Sequence, residues 1–397
     1  MMLTIVAPSL QGIINGLADQ IGLPVVLEDA NQQLLVYSPH YDVTDRIREE
    51  TILRRSTAQR VVDWFGPFDI AAHRDPIVVP GDPRQGILAR LCVPIRYLDA
   101  VLGYVWVLLP DGTVDDAGIA AALEARDHLS GAMLAESRTR ARESDSLLSL
   151  VAADPDTRIQ GLIDIEARGV FQPPRLLLVV VCSGPDWEDA GVRGAFWNAG
   201  WATEPQHQMR GVTPRDGIAM ISVRAGTEAE AAPVISRALA HVGRARSGRA
   251  ARLVIGVGAT VIGPDRVHEA YRQARQAARV ALHDTGTGPV AWWDRLGIYR
   301  ILSQLPTRTL AEAIDPRIAR LVAQQPELAR TLEHYLEHAG AITAVAEALH
   351  IHRTTLYYRL ERIRDVGLEP TSGVDRMASH TSLSALRLLG EWPITAT

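Results

Sequence analysis

Hydrophobic positions follow three regimes along the chain. Up to about residue 140, strand-length apolar runs are interleaved with helix-length segments. "LPVVLED", "QQLLVYS", "ILARLCVPI" and "VLGYVWVLL" have strand character, and "EDANQQ" between the first two is a hairpin-turn signal. Helical spacing marks "LQGIINGLADQIG", "DRIREETILRRSTAQRVVDWF" and "AGIAAALEARDHLSGAMLAES". The block "DIAAHRDPIVVPGDPRQG", with its prolines and glycines, reads as a loop over one face. From about 121 to 154 the pattern is helical, highly charged and free of proline until Pro155 ends it. A helix leaving such a unit is a place for a dimer contact, although its apolar spacing is irregular for a coiled coil.

The second regime is again mixed. "RLLLVVVCS" is a near-continuous apolar run that suits a buried central strand, and "GIAMISV" and "ARLVIGVG" supply further strands. "EAEAAPVISRALAHVG" and "PDRVHEAYRQARQAARVALH" are amphipathic helices. "TGTGP" then breaks the chain, and "RLGIYRILSQLP" leads into a connector. From about 326 the pattern is helical throughout. The expected layout is a multidomain α+β chain: a unit at 1–140, a linker helix at 141–165, an α/β domain at 166–300, a connector at 301–325 and an all-α domain at 326–397.

The third regime contains "HIHRTTLYYRLERIR", residues 350–364, where four arginines stand against one glutamate for a local formal charge of +3. Val345 and Leu349 mark the apolar stripe of one helix, and a new helix starts near His352 to Thr354, capped by one of those two side chains. Within it Leu356, Leu360 and Ile363 fall at i, i+4 and i+7, which makes one face core, and Gly367 suits the C-cap. Two short helices joined by a turn of about three residues form a helix-turn-helix. Opposite the stripe lie Thr354, Tyr358, Glu361, Arg362 and Asp365, flanked by Thr355 and Tyr357. Arg353 sits in the first turn, where a recognition helix meets base edges; arginine pairs two-pronged with guanine, and threonine reads acceptors or a thymine methyl. Tyr357, Tyr358, Arg359 and Arg362 reach for phosphates. The competing reading is a charged surface helix packed on its neighbours, against which the exposed Tyr-Tyr pair and the short turn count.

Composition sets the context. The chain has 397 residues, 47% hydrophobic and 22% charged, as a globular protein has, with a net charge of -5. The basic character near residue 353 is therefore a local face and not a bulk property. All 41 basic residues are arginines, so every cationic contact has guanidinium geometry. Cys92 and Cys182 stand far apart without metal-ligand spacing and read as buried thiols of a reduced, cytoplasmic protein. The first residues lack the build of a secretory signal, and no apolar run approaches the ~20 residues of a membrane span.

The C-terminal stretch "LARTLEHYLEHAGAITAVAEALHIHRTTLYYRLERIRDVGLEP" resembles the PucR/CdaR family of bacterial transcription regulators. Thr331, Leu332, Tyr335 and Leu336 match the family's leading helix, and "HRTTLYYRL" fits its signature almost letter for letter; "AVAEAL" departs from the Thr-Ala that often opens the first helix. The resemblance implies a degenerate GGDEF-like domain before the helix-turn-helix, and "IGVGATVIGPDRVHEAYRQARQAARVAL" is similar to its closing strand and helix. A working cyclase needs carboxylates for Mg²⁺ and an acidic Gly-rich hairpin. Here the strand ends in Cys182-Ser183-Gly184, and the hairpin reads "RGVTPRDGIAMI", so catalysis is expected to be lost. The unit at 1–140 has the size and element order of a small α/β sensor domain such as GAF or PAS, and "RLCVPIRYLDAVLGYVWVLLP" resembles the closing strands of a GAF-like sensor. Its effector, an unidentified small molecule, would meet Trp64, His73, Arg90, Arg96 or Trp106, although such tryptophans are more often core and such arginines more often solvated or paired.

His334 and His338 stand four apart on a helix and are followed by His350 and His352, but no Cys or carboxylate of H-E-x-x-H type joins them, so they read as a surface pair. "IGVG" at 255–258 is no dinucleotide fingerprint, because no GxGxxG follows the strand. The expectation is a non-enzymatic regulator without metal or cofactor, binding double-stranded DNA as a homodimer or higher oligomer. The alternative is a nucleotide-binding or protein-interaction scaffold whose helix-turn-helix does not bind DNA.

Overall fold

The computed structural model describes residues 9–392, apart from 31, 40–42, 55–56, 58, 85, 169–174, 203–206, 245–249 and 285–287. Most of the expected break "TGTGP" lies outside the described residues. Two compact units form: residues 1–172, 184–220 and 224–253 in the first, and 173–183, 221–223 and 254–397 in the second. The multidomain α+β class expected from the pattern is what is found.

The first unit opens with α1 (Leu10–Ile21). Ser9 caps it by accepting the Gly12 N–H at 3.1 Å, and Gly22, at φ 67°, closes it in the left-handed region. β1 (Val25–Asp29) and β2 (Leu34–Tyr37) make the expected antiparallel hairpin. α2 (Arg46–Arg54) and α3 (Gln59–Phe65) replace the single helical pattern of 45–65. They part at Thr57, whose N–H binds the Gln32 carbonyl at 3.1 Å instead of a helical partner. β3 (Ile77–Val79) emerges from the expected loop at 69–86, because pairing with β4 (Ala89–Tyr97) satisfies its backbone. β5 (Ala100–Leu109) completes an antiparallel sheet of order β2-β1-β5-β4-β3.

Both faces of this sheet are covered, which is why its strands read as continuous apolar runs. Val25, Leu27, Leu91, Val93, Val105 and Val107 pack on one side with residues of α1. Val26, Cys92, Tyr104 and Trp106 alternate to the other, against Ile47, Val61 and Phe65 of α2 and α3.

α4 (Asp116–Leu150) is a single helix of 35 residues, and α5 (Pro155–Arg168) follows it. The linker helix expected over 141–165 is therefore the end of one helix and most of the next. Pro155 opens α5, where its missing N–H costs nothing, and Asp154 caps it by accepting from the Thr157 N–H at 2.8 Å. Gly161 lets α5 press on α4: a Cβ there would lie 2.5 Å from the Leu150 nitrogen.

β6 (Arg175–Ser183) is the buried strand that its sequence announces, with Leu177 to Cys182 at 2% exposure or less. α6 (Ala190–Asn198), β7 (Gln208–Val212), β8 (Asp216–Arg224) and α7 (Ala231–Gly243) come next. β9 (Val254–Val257) lies antiparallel to one side of β6, and β8, whose Ile221–Val223 belong to the second unit, lies on the other. β10 (Val261–Ile262) also pairs with β6. α8 (Val267–His283) covers this sheet, and β11 (Val290–Trp292) adds in parallel to β9. The "IGVG" glycines have a packing role: a Cβ on Gly256 or Gly258 would run into the Ala274 or Ala270 carbonyl of α8.

The expected connector at 301–325 is helical: α9 (Tyr299–Leu302), α10 (Thr307–Glu312) and α11 (Pro316–Gln324). Fully buried Ile318 and nearly buried Leu321 put α11 into the core of the helices that follow. Those are α12 (Pro326–Glu337), α13 (Ile342–Ala348), α14 (Arg353–Asp365) and α15 (Gly373–Leu389). No helix among the described residues is long and apolar enough to cross a membrane.

Candidate nucleic-acid interface

One apolar cluster holds the C-terminal helices. Leu328, Leu332, Tyr335 and Leu336 of α12 meet Val345 and Ala346 of α13, Leu383 and Leu386 of α15, and Leu356, Leu360 and Ile363 of α14. The last three, foreseen as the core stripe, are at 4% exposure or less. With that face fixed, the opposite face of α14 must look outward.

The turn before α14 is built from local hydrogen bonds. His350, at φ 53°, gives its N–H to the Glu347 carbonyl at 3.0 Å, and Ile351 gives its own to Ala346 at 3.0 Å. This pair of bonds closes α13 as a Schellman motif, with a histidine where glycine is usual. His352 then caps α14: its Nδ1 accepts the Thr354 N–H at 3.3 Å and lies 3.0 Å from the Thr354 hydroxyl. Four residues, 349–352, separate the helices. At the far end Gly367, at φ 81°, follows the C-cap as the sequence suggests, and its N–H reaches the Arg364 carbonyl at 2.8 Å.

The outward face carries Arg353, Thr354, Thr355, Tyr357, Tyr358 and Arg362, all exposed, the two tyrosines at 55% and 62%. Arg353 is steadied across the turn by donating to the Thr343 hydroxyl of α13 at 2.8 Å, a partner that no periodicity reveals. Arg359, expected beside them, is instead drawn onto α12. It is half-buried, donates to the Thr331 hydroxyl at 3.2 Å and stands 3.9 Å from Glu327.

The local charge of +3 is thus unevenly available. Arg364 is bracketed by Glu361 at 2.6 Å and Glu369 at 3.1 Å. The i, i+3 spacing of Glu361 and Arg364 is a signal that the sequence did offer. Arg362 keeps only a loose approach to Asp365 at 3.9 Å. Arg353 and Arg362 are the two guanidinium groups of α14 left facing outward.

Behind this surface lies a buried ion pair. Arg387 of α15 donates to Glu333 of α12, and the Trp392 indole N–H reaches the same carboxylate at 3.0 Å. Burial raises the Glu333 pKa, while the Arg387 charge opposes the shift. Arg317 of α11 ties three segments by donating to Asp315 at 2.7 Å, Asp375 at 3.0 Å and the Gly367 carbonyl at 2.6 Å.

The five effector candidates of the N-terminal unit are dispersed into structural roles. Trp106 is core, stacked on Phe65 at 4.5 Å between centroids, with its N–H on Glu28 at 3.0 Å. Arg90 is buried in an ion pair with Asp45 and lies over the Phe65 ring. Arg96 pins the 71–73 backbone and the Asp99 carbonyl, His73 is exposed, and half-buried Trp64 packs on Phe68. Arg90 and Trp106 meet on the Phe65 ring, and Arg96 meets the His73 backbone. The group that sequence reasoning passed over is Glu28. It is 3% exposed, accepts from Thr57 and Trp106, and is pushed up to about 7 by burial, which those two hydrogen bonds partly oppose. Its place in phase with Val26 along β1 was the available signal.

Comparison with known proteins finds two family models on this chain. The model of the PucR C-terminal helix-turn-helix domain matches residues 328–385, and that of a GGDEF-like domain matches 166–280. The DNA-binding transcriptional activator AdeR of Bacillus subtilis (strain 168) is 32% identical over 111 residues, 27% of this chain and 26% of AdeR. The proline-responsive transcriptional activator PutR of the same organism is 21% identical over 373 residues, 89% of this chain and 90% of PutR. The crystal structure of a regulator of polyketide synthase expression from Bifidobacterium adolescentis aligns at 17% identity over 63% of this chain and 99% of its own. Its TM-score of 0.29 is too low to support a fold assignment. The chain carries a PucR-type helix-turn-helix and a GGDEF-like domain.

Proposed function

We propose that this chain, with its PucR-type helix-turn-helix, is a DNA-binding transcriptional regulator whose α14 enters the major groove. The observation that carries the reading is the two-faced character of α14. Leu356, Leu360 and Ile363 lock one side into the core, while Arg353, Thr354 and Thr355 of the first turn stand exposed on the other. Arg353, Thr354 and Thr355 take base edges; Tyr357, Tyr358 and Arg362 take phosphates. Arg359 supports the helix from behind and leaves α12 for a phosphate only by giving up Thr331.

The N-terminal unit is read as a GAF-like sensor, a reading supported by its antiparallel sheet with helices on both faces. The middle domain is read as non-catalytic. β6 ends in Cys182-Ser183-Gly184 without an acid, and the turn joining β7 to β8 is Thr213-Pro214-Arg215. The regulator works in the cytoplasm as a dimer, with two helix-turn-helix units on half-sites ~34 Å apart. A protein that stays monomeric both in solution and on DNA would end the dimer part of the reading. Proline is the first effector to try, on the likeness to PutR alone.

The test is a binding titration on genomic fragments, including DNA upstream of the chain's own gene, with wild type and Arg353→Ala. Fragment-selective binding that weakens by about 1–3 kcal/mol in the variant is expected for a lost bidentate base contact. Equal binding to all fragments, indifferent to Arg353, would refute α14 as the reading helix.

A further inference from the structure

The last turn of α12 brings together three side chains that the DNA-binding reading does not use. His334, Glu337 and His338 place ligand atoms within 4.8 Å of one another, the only such group of three among the described residues. The sequence shows two histidines four apart and no acid in the H-E-x-x-H position. The helix instead supplies Glu337 from the third position after His334, and the i, i+3 and i+4 residues share one face.

The hydrogen bonds leave metal-binding atoms available. His338 Nδ1 lies 2.9 Å from the His334 carbonyl, so that nitrogen holds the proton and Nε2 keeps its lone pair. His334 Nδ1 is buried without a hydrogen-bond partner, and its nearest acidic oxygen, Glu337 Oε2, is 3.7 Å away. The other oxygen of Glu337 faces Arg387 at 3.9 Å, and Arg387 is chiefly engaged by Glu333. His380 of α15 lies close enough to feel the Glu337 charge. The negative end of the α12 dipole adds attraction for a cation at this turn.

We propose that His334, Glu337 and His338 form a binding site for one Zn²⁺ ion, with the remaining position left to water or a further ligand. Two imidazoles and a carboxylate are donors suited to this borderline metal, and three protein ligands leave a fourth position open. The ion braces the end of the leading helix of the helix-turn-helix, so binding stabilises the DNA-binding domain through the folded state that it prefers.

The experiment uses the full chain freed of metal by chelator and dialysis. Zinc chloride is titrated calorimetrically into wild type, His338→Gln and Glu337→Gln, and thermal melting is recorded with and without zinc. One equivalent per chain should bind wild type with a micromolar or tighter Kd. Each variant should bind at least about tenfold more weakly and lose the zinc-induced rise in Tm. Both variants should melt like wild type without metal; should His338→Gln fail to fold, the exposed Glu337 carries the test. Absence of saturable binding to wild type overturns the proposal. So does equal affinity in wild type and the variants, which would put the ion elsewhere among the 12 histidines.

Discussion

Arg353 is assigned to base edges; the three other arginines of α14 suggest three phosphate contacts, but the structure argues for one, and salt dependence separates the numbers. Arg364 is held by Glu361 and Glu369, and Arg359 is held against α12, while Arg362 points outward. Each phosphate neutralised contributes about -0.9 to the slope of log K against log salt. One contact per helix-turn-helix unit gives a slope contribution of about -0.9, and three give about -2.7. Between 50 and 200 mM salt the affinity of one unit then falls roughly 3.5-fold or roughly 40-fold, and two units on two half-sites double each slope. Contacts made outside α14 add a constant that cancels between variants. Fluorescence anisotropy on a selected fragment at several KCl concentrations measures the slope. Arg362→Ala should flatten it by about 0.9 per unit, while Arg359→Ala and Arg364→Ala should leave it unchanged. A slope that Arg364→Ala flattens as much as Arg362→Ala does would refute the argument from ion pairing.

Three further outcomes follow from buried or strained groups. Glu28 holds its proton more tightly in the folded protein, at about 7, than a free carboxyl does at 4.5. Its contribution is therefore fully present below pH 4.5 and lost as pH rises through 7, by about 3 kcal/mol at most. Urea melts from pH 5 to 8 should show a stability loss that Glu28→Gln removes; an unchanged pH slope in the variant would assign the loss to other groups. His350 sits at φ 53°. Replacing it by glycine relieves strain of ~1–2 kcal/mol and costs ~0.5–1 kcal/mol of unfolded-chain entropy, for a net gain of about 0.5 kcal/mol. His350→Ala should bring no such gain in thermal melts, and equal gains from both would remove the backbone explanation. Arg387→Met leaves Glu333 buried without its cation and should cost about 3 kcal/mol, part of which returns in the double variant with Glu333→Gln. A double-mutant cycle with no coupling would mean that the pair is held by packing alone.

Legibility tracked the range of the interactions involved. The α14 stripe, the His352 cap and the Gly367 ending depend on residues within one or two turns, so spacing and residue type revealed them. β3 and β11 were missed, since three residues show no period and each exists by pairing with a strand elsewhere in the chain. The break at Thr57 was missed for a similar reason, because its backbone partner is Gln32. α11 was read as a connector although Ile318 and Leu321 belong to the terminal core.

The sequence by itself determined that α14 has a buried and an exposed side, and that a short turn precedes it. Amphipathic periodicity and capping are properties of neighbouring residues, and the chain writes them directly. The state of each charged group was decided only by the tertiary structure. Arg359 is occupied by Thr331, Glu28 is buried with Thr57 and Trp106 on its carboxylate, and Glu337 faces His334 with one oxygen and Arg387 with the other. Desolvation and Coulomb energy depend on what surrounds a group in space, and most of those surroundings come from dozens of residues away along the chain.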